Sequence, residues 1–566
     1  MAVIEPLTRR LRVAGPFSLE RIATVALLLA IAAFLIVALA LPLGLLLGQS
    51  LENKAGDFVG LINFSAYFSN SSLLASIGNS LLIAVLSTVI TVGLAFMVAY
   101  GLVRSCMPGK AILRGIMLAP LLAPSLLPAI ALVYLFGKQG WLRNLLGEYS
   151  IYGPIGIVIG EVFYCFPHAL MILVTAMSIS DARLFEAART LRASRFRILL
   201  TVTLPGIKYG LISAIFVVFT LVITDFGVPK VIGGNYNVLA TDVYKQVIGQ
   251  QNFQMGAVVS IILLLPAILA FGVDQIVRRR QTALLSVRAV PYRAKPDSMR
   301  DGLLLTVCVA VAGLILLILG MAFYASLVQL WPYNLDISLR HYDFDNMDGG
   351  GWRAYWNSLI MSGLTAVFGA ALVFVGAYLT EKARPPGWLA SGFHFLAMLP
   401  MAVPGMVLGL GYIFFFNNPQ NPLNGLYHTL AILVICTVAH FYTVAHLTAA
   451  TALRQIDREF EAVSASLKVP LVVTFFRVTV PLCLPAIFDI SVYLFVNAMT
   501  TVSAVVFIYS AQTALASVAV LNMDDAGEIA GAAAMAMMIV FTSAAIRTLH
   551  GVLTGGLLRR SRAWMA

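Results

Sequence analysis

The sequence predicts an all-α polytopic membrane protein of about twelve transmembrane helices in two tandem six-helix repeats. Three observations carry that expectation: an apolar composition, basic residues confined to alternate loops, and short motifs that recur in the same order in each half. Of the 566 residues, 60% are hydrophobic and 11% charged, with a mean hydropathy of +0.92. A soluble domain carries about 25% charged and about 45–50% apolar residues, so neither a water-soluble enzyme nor a disordered chain fits. Since about 20 apolar residues cross a bilayer, little chain remains for a soluble domain.

Apolar segments lie near 22–48, 78–103, 113–137, 154–178, 206–226 and 254–276, and again near 302–328, 356–380, 391–415, 426–450, 482–508 and 526–552. The first follows Arg9, Arg10, Arg12 and Arg21 but is far longer than the apolar region of about 7–15 residues in a secretory signal, so it is expected to be a retained helix. The formal net charge is +12. Roughly 28 of the 37 Lys and Arg fall in one alternate set of loops, which the positive-inside rule assigns to the cytoplasm together with both termini. The charge is therefore a topology signal, and no nucleic-acid-binding motif accompanies it. Five cysteines lie in or beside apolar runs without paired spacing, which indicates neither disulfides nor a metal site.

The two sets of six match each other. Asn79-Ser80-Leu81-Leu82 opens the second span, and Asn357-Ser358-Leu359-Ile360 opens its counterpart. Pro120 and Pro124 align with Pro400 and Pro404, and Pro205 with Pro481, at separations of about 276–280 residues. An even number of spans per unit makes this a parallel duplication, with domains at 1–290 and 291–566 joined by the basic stretch Arg278 to Arg300.

Two long cytoplasmic loops occupy equivalent places between spans four and five. One runs from Asp181 through Glu186-Ala187-Ala188, Leu191 and Arg192 to Pro205; the other runs from Asp457 through Glu461-Ala462, Leu467 and Lys468 to Pro481. Each aspartate suits a helix cap, and an amphipathic piece (Arg195, Phe196, Ile198, Leu199; Phe475, Phe476, Val478) precedes the proline expected to start the next span. Such a loop can enter a groove of another protein or lie on anionic lipid.

The Glu-Ala-Ala run, the following leucine and the distant proline resemble the coupling-loop motif of permeases of binding-protein-dependent ABC importers. The resemblance covers essentially the whole chain, each half resembling one permease domain. Fused double permeases occur in the ferric-iron, thiamine and 2-aminoethylphosphonate branches. The resemblance implies that the loops dock into two cytoplasmic ATP-binding-cassette subunits, which bind ATP and Mg. It also implies that a periplasmic solute-binding protein delivers the solute, and that the chain lies in a bacterial inner membrane. Two departures stand out. Arg192 and Lys468 occupy the place where the family has glycine, so the tight turn is expected to be drawn differently or by the next residue. With Leu191 laid on Leu467, Glu461 falls one position before Glu186, and Ala462 takes the place of that glutamate.

No phosphate-binding loop, His-Glu-x-x-His or nucleophile elbow occurs, so no catalytic residue, bound cofactor or metal is expected in this chain. Thr224 and Asp225, with Asn497, Thr500, Thr501 and Ser503, end the equivalent fifth spans; they suit either contacts in a translocation pathway or helix–helix hydrogen bonds and end-capping. Glu161 and His440 occupy roughly equivalent sites in the fourth spans, followed by His168 and His446, and the prolines of the third spans are expected to kink or break them. Asn235 to Asn237, Asp242 to Lys245, Asp343 to Asp348 and Asn522 to Asp525 suit either contacts for a binding protein or solvated outer loops. A secondary transporter would leave the paired loops without a role. The segments 238–255 and 515–525 resemble the 2-aminoethylphosphonate branch, with the ferric-iron branch next, so a small phosphonate is the expected solute.

Overall fold

The computed structural model describes residues 19–284, 292, 294–383, 385–457 and 459–562; Arg9, Arg10 and Arg12 lie outside the described residues. Among these, ten helices are long and apolar enough to cross a membrane, and two bent pairs raise the number to as many as twelve. The first-half spans are Glu20–Gln49, Ser71–Arg104, the bent pair Lys110–Leu122 with Leu126–Phe136, Pro154–Ser178, Arg195–Thr224 and Phe253–Val277. Their counterparts are Ser298–Leu327, Gly351–Glu381, the bent pair Gly387–Ala402 with Gly405–Phe416, Leu430–Gln455, Leu471–Thr500 and Ile529–Gly555. Strands among the described residues amount to one hairpin, Val328–Leu330 with Asn334–Ile337, and an isolated bridge between Glu52 and Phe58.

The expected proline breaks are present. Both third spans leave the helical path in extended backbone at Ala123 and Val403 and turn through 104° and 112°. Where the backbone bonds stop, side chains take over: Thr443 of span four donates to the carbonyl of Ala397 at 2.8 Å.

Prolines also shape three straight-running helices. Within a helix, proline lacks the N–H that its fourth predecessor's carbonyl needs, and its ring crowds that carbonyl. Ahead of Pro42, Pro205 and Pro481 the chain widens into a single π turn, at Ile36–Ala40, Leu199–Thr203 and Phe475–Thr479, and then continues as α-helix. Pro205 and Pro481 therefore do not start their spans as the sequence suggests. The amphipathic pieces at Arg195 and Leu471 are the first turns of the same helical rods that end at Thr224 and Thr500.

Span one of each half packs on the other half. The helix Leu41–Gln49 lies against Gly405–Phe416, and Ser298–Leu327 lies against the second and third spans of the first half. Pro42 leaves the carbonyl of Ala38 without its helical donor, and the Tyr412 hydroxyl donates to it at 2.8 Å. The backbones meet closely enough that a Cβ on Gly411 would lie 2.8 Å from the Pro42 carbonyl oxygen.

The repeated Asn-Ser motif is a lock between span two and the segment after span five. Asn79 Nδ2 donates to the carbonyl of Asn237 at 2.9 Å, and Ser80 Oγ accepts the N–H of Leu239 at 2.8 Å. Asn357 Nδ2 donates to the carbonyls of Gln512 and Ala514, both at 3.0 Å, and Ser358 Oγ accepts the N–H of Ala516 at 2.7 Å. Leu239 and Ala516 each begin a short helix, so a serine from a distant span caps its first free N–H. The apolar run expected as span 482–508 accordingly stops at Thr500, and the chain beyond it folds back through turns onto span two. Ser80→Ala and Ser358→Ala each strand a buried N–H, which costs about 1–3 kcal/mol. Both substitutions are expected to lower the melting temperature of the detergent-purified protein, whereas Ser178→Ala, at an exposed helix end, leaves it unchanged.

Candidate coupling loops and translocation passage

Each loop between spans four and five begins with the expected cap. Asp181 accepts from the N–H of Arg183 at 3.0 Å and Asp457 from that of Glu459 at 3.1 Å, heading the helices Ala182–Thr190 and Glu459–Ser466. Glu186, Ala187 and Ala462 are exposed and Ala188 is half-buried. Leu191 and Leu467 are 81% and 70% exposed, with Leu184, Phe196, Phe460, Val463 and Phe476 also open. A concentration of exposed apolar side chains on a charged loop is a surface that suits a partner or lipid.

The turn after each leucine is the one that glycine usually makes. Arg192 and Lys468 take left-handed backbone at φ 51° and 54°. The N–H of Ala193 reaches the carbonyl of Ala188 at 3.0 Å and that of Arg192 the carbonyl of Arg189 at 2.9 Å, while Val469 reaches Ser464 at 2.9 Å. This is the Schellman pattern, held by side-chain-bearing residues despite their steric cost. The expectation of a differently drawn turn does not hold. Hydrogen bonding to the helix's last carbonyls overrides the preference of arginine and lysine for negative φ.

Counted from Pro205 and Pro481, Glu461 stands opposite Phe185 and not opposite Glu186. Its carboxylate pairs with Lys382 Nζ at 2.7 Å, whereas Glu186 points to solvent. The rods that follow are held from the other half. Asp297, at the head of the second-half span one, pairs with Arg195 at 2.5 Å, and Glu20, in the first turn of the first-half span one, accepts the N–H of Leu471. Arg195 and Leu471 are counterparts, so both braces follow the repeat.

At the opposite ends of the rods, most candidate pathway residues are occupied locally. Thr224 and Thr500 donate to Thr220 and Val496 carbonyls at 2.8 and 3.0 Å, and Asn497 donates to that of Tyr493 at 2.8 Å. Thr501 is buried, and its carbonyl accepts from Ser517 at 2.6 Å. Ser503 lies against Gly405, where a Cβ would come within 2.4 Å of its Oγ; Ser125 lies likewise against Gly227, at 2.1 Å. The two halves thus make the same close crossing with serine and glycine exchanged.

Asp225 is different. It accepts the N–H of Val228 at 2.9 Å, and Ser125 and Glu161 lie beside it. Glu161 is fully buried, receives the Cys165 thiol at 3.8 Å, and leaves Oε1 without a partner. In the second half the corresponding positions are Thr437 and Thr501, so only the first half carries the acidic pair. The same counting pairs His440 with Tyr164, correcting its expected equivalence to Glu161. Span Leu471–Thr500 is the least buried of the ten unbroken spans, at 17%, although it packs on spans two, four and six of its half.

Beyond these ends the halves touch. Lys230 pairs with Asp525 at 2.9 Å, and the rings of Tyr244 and Phe507 stack with centroids 6.3 Å apart. Burial, with Asp525 beside it, pushes the Asp524 carboxyl up to about 6. Asp242 is buried and is not the open loop residue that the sequence suggests. Asn235 and Tyr236 do border open space, a cavity of 700 Å³ shared with Lys138, Ser150 and Tyr152.

The family described as "Binding-protein-dependent transport system inner membrane component" matches residues 92–283 and 372–558, once in each half. The chain belongs to this family. It is a multi-pass membrane permease, a component of a transport system. Among its relatives is the ferric transport system permease protein FbpB of Actinobacillus pleuropneumoniae, 28% identical over 441 residues; the match covers 75% of this chain and 63% of that one. The Fe(3+)-transport system permease protein FbpB 2 of Haemophilus influenzae is 24% identical over 478 residues, or 82% and 87% of the two chains. The spermidine/putrescine transport system permease protein PotC of Escherichia coli is 27% identical over 220 residues, 39% of this permease and 80% of that chain.

The left-handed turns provide a direct check on the loops. Arg192→Gly and Lys468→Gly relieve a backbone cost of about 1 kcal/mol. Both are expected to keep full transport, whereas Arg192→Val, whose branched Cβ resists positive φ, reduces transport several-fold in reconstituted vesicles.

Proposed function

We propose that this permease imports ferric iron from periplasm to cytoplasm by alternating access, driven by two separate ATP-binding-cassette subunits. A periplasmic binding protein delivers the ion, and both termini lie in the cytoplasm. The observation that carries the mechanism is the continuity of each coupling loop with span five. A turn locked by Arg192 or Lys468 leads into a rod of 30 residues that ends beside the candidate passage. Such a rod is about 45 Å long, so a displacement at its docked end reaches the far side of the bilayer without an intervening hinge loop. ATP and Mg belong to the partner subunits in this reading. Closure of those subunits draws the two loops together, and the halves rock about the space between the fifth spans.

The names of two relatives support ferric iron as the solute. Carboxylates such as Glu161 and Asp225 are hard oxygen donors that suit a highly charged cation. The segments 238–255 and 515–525 support the second reading, 2-aminoethylphosphonate. Uptake of radiolabelled ferric iron and of labelled 2-aminoethylphosphonate, in cells with and without the gene, separates them. Loss of iron uptake alone is expected, and loss of phosphonate uptake alone overturns the assignment.

Glu186→Lys tests the docking role. The glutamate is exposed, so the protein is expected to insert and fold normally while substrate uptake falls at least tenfold. Unchanged uptake in this variant removes the docking role of the first loop.

A further inference from the structure

Each second span ends in a cation, Arg104 in the first half and Lys382 in the second, and these are counterparts when counted from Asn79 and Asn357. Both are withdrawn from water: Arg104 is 2% exposed, and the Lys382 side chain 6%. Both reach the end of span four. Arg104 donates to the carbonyl of Met177 at 3.2 Å and to the Ser180 hydroxyl, and Lys382 donates to the carbonyl of Ile456 at 3.2 Å. Ser180 and Ile456 are themselves counterparts.

The remaining partner of each cation is the coupling helix, at one and the same position. The Arg104 guanidinium lies over the Phe185 ring at 4.3 Å, and on Tyr292 of the segment joining the halves at 4.2 Å. No carboxylate among the described residues pairs with it, and Nε and Nη1 have no hydrogen-bond partner. Its charge is therefore met by two π faces and two oxygens. In the second half Glu461 replaces Phe185, and the contact becomes an ion pair at 2.7 Å. Tyr292 also accepts from Arg189 of the coupling helix at 2.9 Å, which binds the joining segment into the first contact.

We propose that Arg104 and Lys382 are positioning residues that fix the two coupling helices to the transmembrane helices, by an aromatic clamp in the first half and an ion pair in the second. The proposal rests on the reading of the loops as ATPase-docking elements. It explains why Glu461 sits one residue away from the family glutamate: Glu461 anchors the helix inward, and Glu186 faces outward. It also separates the two anchors by chemistry. A planar guanidinium lies flat between rings as an ammonium does not, so the first anchor requires arginine and tolerates salt. The second requires opposite charges, of either order, and weakens as salt screens its more exposed partner.

The test uses the full permease with its ATPase subunits and binding protein in vesicles, and reads transport per ATP hydrolysed. Lys382→Glu and Glu461→Lys are each expected to lower that ratio at least tenfold, and the double exchange to restore at least half of it. Glu461→Gln, a mild change, keeps the second anchor testable if the charge reversals do not accumulate. Its expected loss is about threefold to tenfold. Arg104→Lys is expected to be as defective as Phe185→Leu, whereas Tyr292→Phe, which keeps the ring, stays within twofold of the wild type. A double exchange no better than its singles, Glu461→Gln equal to wild type, or Arg104→Lys equal to wild type overturns the proposal. A wild-type permease that neither retains ATPase subunits on purification nor responds to Glu186→Lys overturns instead the docking reading beneath it.

Discussion

A peptide N–H or carbonyl without a partner inside a bilayer has no water to bond, and that constraint shapes most of what is irregular in this permease. Every proline in a span poses the problem afresh, and the chain resolves it in different ways. Ahead of Pro42, Pro205 and Pro481 the helix widens by one π turn and carries on. At Pro120, Pro124, Pro400 and Pro404 it breaks and bends past a right angle, and Thr443 reaches across to the broken backbone. The hydroxyl of Tyr412 and the Asn-Ser pairs of the second spans serve backbone groups far away in sequence. Because these partners come from other spans, satisfying the backbone also sets which spans are neighbours.

The same bonds keep the candidate coupling loops continuous with the fifth spans. A π turn keeps Arg195–Thr224 and Leu471–Thr500 as unbroken rods where a proline would otherwise separate loop from span. Span one of each half braces the loop end of the opposite rod through Asp297 or Glu20. In the proposed mechanism, movement of one coupling loop would thereby be shared with the other half before it reaches the candidate passage. The halves remain related but not identical. Serine and glycine exchange places at one crossing, threonines replace an acidic pair, and a carboxylate replaces an aromatic ring beside the span-two cation. The first and last of these exchanges conserve a contact while changing its chemistry, so the halves differ locally within a shared frame.

Much of this frame is legible in the chain. The number of spans, the repeat, the breaks at the third spans and the caps Asp181 and Asp457 follow from composition, spacing and local preference, because each is decided within one or two turns of chain. The site is less legible. Phe185 and Arg104 carry no sequence signal of contact, being separated by two spans. Sequence alignment on Leu191 and Leu467 shows that Glu461 is displaced but not that it turns inward to Lys382. Arg192 and Lys468 look unsuited to a left-handed turn, and propensity ranks them so; the hydrogen bonds that overrule it appear only when the helix end is built.

By itself, then, the sequence determined a twice-repeated bundle of apolar helices with two long charged loops at equivalent places, since hydrophobic period and charge distribution act through the local cost of placing side chains in lipid or water. Only the tertiary structure decided that span one crosses to the other half, that the last part of each loop and span five form one rod, and that the duplicated loops are anchored by different chemistry. Those outcomes depend on which distant donor finds each orphaned acceptor, and on which cation meets a ring or a carboxylate. Such pairings are settled by packing geometry between helices, and no property of a single segment encodes them.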